Sequence, residues 1–150
     1  MATVSALLDT NVLIYATLTE DPRYPIARAL LLGEQSPAGG ELFISVQNLA
    51  EMWPNLTGPK LNPPDSPAVA RAKIESIARL PHLTVLPVDW DTVRHATQLC
   101  EERNVRRQDY FDMQLVAVMR QHRIRRIYTE NAADFKGLDG IEAVNPFAKA

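Results

Sequence analysis

Asp9 follows the apolar run Val4 to Leu8 with no spacer between them. A carboxylate directly behind a short, buried-looking run is unusual, because a charge beside a core strand is costly unless partnered. Glu51 stands among Leu49, Ala50, Met52 and Trp53, and Asp112 opens the apolar stretch Phe111 to Met119. Thr129, Asn131 and Asp134 close or follow another short run, Arg126 to Thr129. Hard oxygen ligands with no His or Cys among them suit Mg²⁺ or Mn²⁺ and not zinc. One or two such ions can orient a water, make it a better nucleophile and stabilise both oxygens of an in-line phosphoryl displacement. Without a cation the same acids raise one another's pKa. Each acid alone has a plainer reading: Asp112 as a helix cap, with Asp109 competing for that place, and Glu51 as a solvent-facing charge.

The elements that must position these acids are short. Val4 to Leu8, Leu42 to Ile44, Thr84 to Val88, Arg126 to Thr129 and Ile141 to Val144 read as continuous apolar strands. Between them lie helical patterns: Asn11 to Leu18, Ile26 to Leu32 ended by Gly33, a helix through Val46, Leu49, Ala50 and Trp53 capped by Ser45, and Ala68 to Leu80 with Val69, Ala72, Ile77 and Leu80 as core. Asp89 is a good cap for a helix through Val93, Ala96, Leu99 and Cys100, and Phe111 to Met119 forms the next helix. Ser36 to Gly40 and the Pro-rich segment Gly58 to Pro67 read as loops, and Asn131 to Phe135 as a helical turn. Apolar strands alternating with helices imply a parallel sheet covered on both faces. Ligands of such sheets sit at the carboxyl ends of the strands, where Asp9 and the segment from Thr129 fall.

The composition sets the frame. The 150 residues amount to one domain's worth of chain, enough to bury roughly 68–70% of the unfolded surface. With 46% hydrophobic and 23% charged residues, neither a disordered chain nor a small disulfide scaffold fits. The one cysteine, Cys100, has no partner for an internal disulfide and fits a reducing, cytoplasmic setting. It lies in a helical apolar stripe, so packing is its expected role. No apolar run approaches about 18 residues, so no membrane span is expected. The formal charge of -2 argues against an electrostatic nucleic-acid binder. Yet Arg103, Arg106 and Arg107 precede the Asp112 helix and Arg120, Arg123, Arg125 and Arg126 follow it, where they could meet phosphates.

Four stretches in order carry a family resemblance. Leu7-Leu-Asp-Thr-Asn-Val-Leu-Ile-Tyr15, Ser45-Val-Gln-Asn-Leu-Ala-Glu51, Tyr110-Phe-Asp-Met-Gln-Leu-Val-Ala117 and Ile127-Tyr-Thr-Glu-Asn-Ala-Ala-Asp-Phe135 resemble the PIN domain, with a last stretch like that of VapC-like toxin ribonucleases. The resemblance implies an α/β, PIN-like three-layer sandwich over residues 1–150, with a central, mostly parallel sheet of four to five short strands between helices. It implies a Mg²⁺- or Mn²⁺-dependent endoribonuclease acting on single-stranded RNA, the toxin of a VapBC-type pair, with a VapB-like antitoxin and a second copy of itself as partners.

By the same resemblance Asp9, Glu51 and Asp112 are the catalytic acids and Asp9 and Asp112 the metal ligands. Glu51, Asn131 and Asp134 would join through water, and Thr10 and Thr129 would orient Asp9. Asn131 stands where the family's fourth acid is usual. Two roles are open to Asp134: substitute for that acid, or cap of the turn. Arg106 and Arg107 are the candidate RNA contacts. Two other readings stay open: a degenerate PIN domain that binds RNA or protein without cutting, and a phosphatase-like hydrolase with Asp9 as nucleophile. The latter class has a second acid where Asn11 stands. Tyr15, Phe43, Trp53 and Trp90 could stack bases, with core packing the commoner use. Leu13, Ile14, Ile26, Leu30 and Leu31 offer a dimer face or partner groove, with core again the plainer reading.

Overall fold

The computed structural model describes residues 5–34 and 40–148. Val4 and positions 36–39 of the expected loop lie outside the described residues. The strands are β1 (Ala6–Leu8), β2 (Leu42–Ser45), β3 (Leu83–Leu86), β4 (Arg126–Tyr128) and β5 (Glu142–Val144). The helices are α1 (Thr10–Tyr15), α2 (Tyr24–Leu31), α3 (Val46–Thr57), α4 (Pro67–Ala78), α5 (Trp90–Arg103) and α6 (Tyr110–Gln121), with 3₁₀ turns at Arg107–Asp109 and Ala132–Phe135.

All strand pairs are parallel, in the order β3-β2-β1-β4-β5. The chain winds outward from β1 through β2 to β3, then crosses back to lay β4 on the other side of β1. Successive side chains of a strand face opposite ways, and β1 shows the result. Ala6 and Leu8 pack with Val12, Leu30, Met52 and Ile77 of the first four helices. Leu7 packs with Leu99, Val116 and Met119 of α5 and α6. Two cores separated by one sheet make the expected three layers.

Local chemistry sets the boundaries. Asp9 caps α1, so that helix opens at Thr10, one residue ahead of the expected Asn11. Ser45 caps α3 in a reciprocal box with Asn48, and Asp89 does the same for α5 with Thr92. After α2, Gly33 takes φ +73°, a left-handed conformation glycine adopts without strain. The N–H of Glu34 then reaches the Ala29 carbonyl at 2.9 Å. Pro54 lies inside α3, and a Cβ on Gly58 would meet its carbonyl oxygen at 2.5 Å, so the turn out of this helix needs glycine.

Three expectations change. Asp109 occupies the cap position of α6 but its side chain makes no capping hydrogen bond, because a 3₁₀ turn already leads into the helix. On α4 the buried positions are Ala70 and Ile77; Val69 and Ala72 are exposed, since the helix is rotated relative to the expected face. Leu13, Ile14, Leu30 and Leu31 are buried core, and Ile26 packs against them. Core packing is therefore the main use of this set, with Ile26 half-buried at its margin.

Candidate active site

In an open parallel sheet a crevice forms where neighbouring strands are followed by connections running in opposite directions. Here that point lies between β1 and β4, and Asp9 and Thr129 stand at its two sides. Asp9 is only 7% exposed. Its Oδ1 accepts from the Thr10 backbone N–H at 2.7 Å and its Oδ2 from the Thr129 hydroxyl at 2.8 Å. Burial nevertheless pushes its carboxyl above the ordinary range, and the charge of Asp134 adds to this. Both expected threonines thus hold Asp9, but Thr10 does so through its backbone. The Thr10 hydroxyl instead reaches Glu51 at 3.5 Å and accepts from Asn48 Nδ2 at 3.1 Å.

Glu51 comes from the second turn of α3 and faces the crevice. Burial raises its carboxyl pKa, as does the Asp9 charge, while hydrogen bonds from Gln47 and Thr10 oppose the rise. Asp112, in the first turn of α6, has no hydrogen-bond donor to its carboxylate among the described residues. Burial pushes it up to about 7, reinforced by the charges of Asp9, Asp134, Asp109 and Glu51. The charge of Asp134 reaches this centre from an exposed side chain outside the cleft lining. Asn131 lines the same cleft. Its backbone N–H donates to the Thr129 hydroxyl at 3.1 Å.

Asp9, Glu51 and Asp112 line a cleft of about 470 Å³. Among the described residues, no three His, Cys, Asp or Glu side chains converge as a ready-made metal cage. Mg²⁺ does not need one: it commonly takes one or two carboxylates and keeps several waters. Asp9, Glu51 and Asp112, all raised by burial and by neighbouring acids, are a donor set whose repulsion a hard divalent cation would relieve. The residues present therefore fit such an ion, with Asp9 and Asp112 nearest the centre of the repulsion.

A pH dependence follows. The Asp112 carboxyl titrates at 3.8 ordinarily and at about 7 here. Between those values the folded chain holds a proton that the unfolded chain releases, so stability falls as pH rises through this window. Asp112→Asn in chelator should therefore gain melting temperature relative to the parent at about pH 8 and little at about pH 5. Parallel melting curves for the two proteins across that range would show that Asp112 is not held in repulsion.

Asp21 and Arg23, in the rest of the lining, carry no mark in the linear sequence. Arg23 pairs with Asp21 and with Glu130, each at 2.8 Å, and its guanidinium lies 3.7 Å over the Tyr15 ring. The Tyr15 hydroxyl donates to Glu130 at 2.6 Å, and burial beside that carboxylate pushes the phenol up to about 12. This cluster ties the α1–α2 hairpin to the segment after β4. Asn11, between them, accepts from the Glu130 N–H at 3.0 Å and donates to Thr129. Its only readable signal is its place two residues after Asp9. Trp53 and Trp90 are exposed, Phe43 packs in the core, and of the four aromatics considered only Tyr15 lines the cleft.

The arginines separate into two groups. Arg106 and Arg107 precede α6 on the side of Asp112, both exposed, and neither forms a salt bridge among the described residues. Arg107 takes φ +56°, a strained backbone for a residue other than glycine. Arg120, Arg123, Arg125 and Arg126 lie at the other end of α6 and at the start of β4, the edge of the sheet away from the acids. Arg120 holds the Asp139 carbonyl, Arg126 pairs with Glu142, and Arg103 holds the carbonyls of Lys136 and Gly137. Cys100 is half-buried and burial raises its thiol pKa, which suits packing and not nucleophilic attack. No helix among the described residues is long and apolar enough to cross a membrane.

The family model described as PIN domain matches residues 6–141, and the chain belongs to that family. Among solved structures, the fold is similar to VapC20 of Mycobacterium tuberculosis, described as a sarcin-ricin loop cleaving toxin (22% identity, 87% of this chain and 92% of that one, TM-score 0.68). It is similar also to a toxin–antitoxin complex from Klebsiella pneumoniae (22% identity, 95% and 98% covered, TM-score 0.63). A third likeness is to FitAcB from Neisseria gonorrhoeae (21% identity, 94% and 97% covered, TM-score 0.65). At such identities the likeness is one of fold. Compared with curated protein sequences, the chain has no significant match.

Proposed function

We propose that residues 1–150 form one PIN-type domain that hydrolyses phosphodiester bonds of single-stranded RNA with the help of Mg²⁺ or Mn²⁺. The observation that carries this reading is Asp9 at the β1–β4 crevice, fixed through both oxygens and surrounded by the charges of Glu51, Asp112 and Asp134. Asp9 and Asp112 would hold the cation, with Glu51, Asp134 and Asn131 reached through water. Once bound, the ion supplies a polarised water and charge stabilisation at the phosphate. Thr129 and the Thr10 N–H keep Asp9 aimed. The reading with Asp9 as a phosphatase nucleophile loses support, because Asn11 stands in place of the second acid and its amide is already engaged. The degenerate-domain reading rests on Asn131 alone, and a charge from Asp134 nearby would compensate for it.

The biological role follows by analogy. The solved folds named above include a toxin and a toxin–antitoxin complex, which supports the toxin of a VapBC-type pair, with a VapB-like antitoxin and a second copy of this chain as partners. A reducing, cytoplasmic setting belongs to the same proposal and rests on the unpaired Cys100. The test is cleavage of a single-stranded RNA with Mg²⁺ or Mn²⁺ against the same reaction in chelator. Cation-dependent cutting is expected; no cutting with either ion would overturn the assignment.

RNA should enter along Arg106 and Arg107. Replacing both with Gln should weaken RNA binding and lower the salt dependence by about 0.7 in log–log slope per lost phosphate contact. Binding measured by fluorescence anisotropy at several salt concentrations checks this. An unchanged slope would remove these arginines from the interface.

A further inference from the structure

Behind Glu51 runs a chain of side-chain hydrogen bonds that the proposed chemistry does not use. The Tyr110 hydroxyl donates to Gln114 Oε1 at 2.8 Å, and Gln114 Nε2 donates to Gln47 Oε1 at 2.7 Å. Gln47 Nε2 then donates to Glu51 Oε1 and, at 3.0 Å, to the Phe111 carbonyl. Gln47 and Gln114 are both buried, at 7% and 8% exposure. Every direction in this chain is forced. A carboxylate and a carbonyl only accept, so the amide nitrogen of Gln47 must face them. Its oxygen must then face Gln114, whose own oxygen is left for Tyr110.

We infer that Gln47 is a positioning residue that sets the separation of the two helices carrying the acids. Its one amide group grips Glu51 on α3 and the carbonyl of the residue before Asp112 on α6. Glu51 and Asp112 repel each other, and in the absence of a cation that repulsion turns the Glu51 side chain away or spreads the helices. Gln47 opposes both movements, and Gln114 and Tyr110 fix Gln47. Glu51 and the start of α6 are therefore held before the ion arrives, which lowers the cost of ordering them upon binding. Helical spacing supports the arrangement: Gln47 and Glu51 are four residues apart on α3, and Tyr110 and Gln114 four apart on α6, one turn in each case.

The inference rests on the cation-dependent reading given above, and its test separates the two. Thermal melting is followed while Mn²⁺ is titrated into the parent, Gln47→Met, and the double variant Gln47→Met with Gln114→Met. Loss of a residue that supports a metal ligand costs about 10–100-fold in affinity or activity, so the Mn²⁺ midpoint should rise about ten-fold in both variants. Gln47→Met alone leaves the Gln114 amide unpaired and should melt lower in chelator. The double variant removes both ends of the Gln47–Gln114 bond, so no buried amide is left unpaired there, yet it lacks the tether. Its midpoint should be shifted as in Gln47→Met, while its melting temperature in chelator lies above that of Gln47→Met. RNA cleavage should fall at limiting Mn²⁺ and recover at saturation. An unshifted midpoint in the double variant, with the parent responding normally, would overturn the positioning role alone. A parent that does not respond to Mn²⁺ at all would overturn the cation reading and this inference together.

Discussion

Asp9→Asn should lose RNA cleavage by more than about 100-fold while keeping its fold, given that even residues supporting a metal ligand cost about 10–100-fold when removed. The substitution keeps the shape of the side chain and an oxygen to accept the Thr10 N–H. It removes the charge that would attract the ion and that lies among the other acids. Because burial is the largest cause of the raised Asp9 carboxyl pKa, a neutral amide there offsets the lost Thr129 hydrogen bond, and the variant should stay folded in chelator. Melting temperature and far-ultraviolet circular dichroism check the fold, and initial cleavage rates check the chemistry. A variant that cuts as fast as the parent would remove Asp9 from the centre of the site.

Millimolar Mn²⁺ should raise the melting temperature of the parent by several degrees. A ligand that binds only the native state, at a hundred-fold excess over its Kd, adds about 2.7 kcal/mol. For a chain of 150 residues, each kcal/mol moves Tm by about 2–4 °C, so the expected rise is about 5–11 °C. The gain should be larger at about pH 8 than at about pH 6, because the Asp112 carboxyl must first release its proton to bind a cation. Asp112→Asn should respond only weakly. Equal rises in the parent and in Asp112→Asn would place the ion elsewhere.

How far the site can be read from the chain depends on which contacts are local. Asp9, Glu51 and Asp112 stand out because each interrupts an apolar run, and the sheet gathers the ends of those runs. Ser45, Asp89 and Gly33 mark helix ends by their own chemistry, and each does so in the structure. Asn48 and Gln47 carry no such mark. Besides local bonds to Ser45 and Glu51, they bind residues 38 and 67 positions away, and an amide in a helix looks like a surface residue until those distant partners are in place. The pairing of Arg23 with Glu130 spans 107 residues and is equally hidden.

Sequence adjacency can also mislead. Seven arginines bracket one helix in the sequence, yet a helix of 12 residues is about 18 Å long at 1.5 Å per residue. Its ends therefore stand at opposite edges of a sheet whose strands have only three or four residues. Only the arginines before Asp112 share its edge. The exposed Val69 teaches the same lesson for α4, where several apolar residues offered more than one face for burial and the packing of α3 chose between them.

Mapping the ends left by RNA cleavage is the most direct test of a cation-assisted acidic site. A labelled single-stranded RNA is cut by the purified protein in Mn²⁺ and in chelator, and the product termini are determined. Hydrolysis by a water held among Asp9, Glu51 and Asp112 predicts products with 5′-phosphate and 3′-hydroxyl ends, formed only when the cation is present. Fragments ending in 2′,3′-cyclic phosphate, formed equally well in chelator, would mean that the RNA's own 2′-hydroxyl attacks and that the acids of this cleft do not direct the reaction.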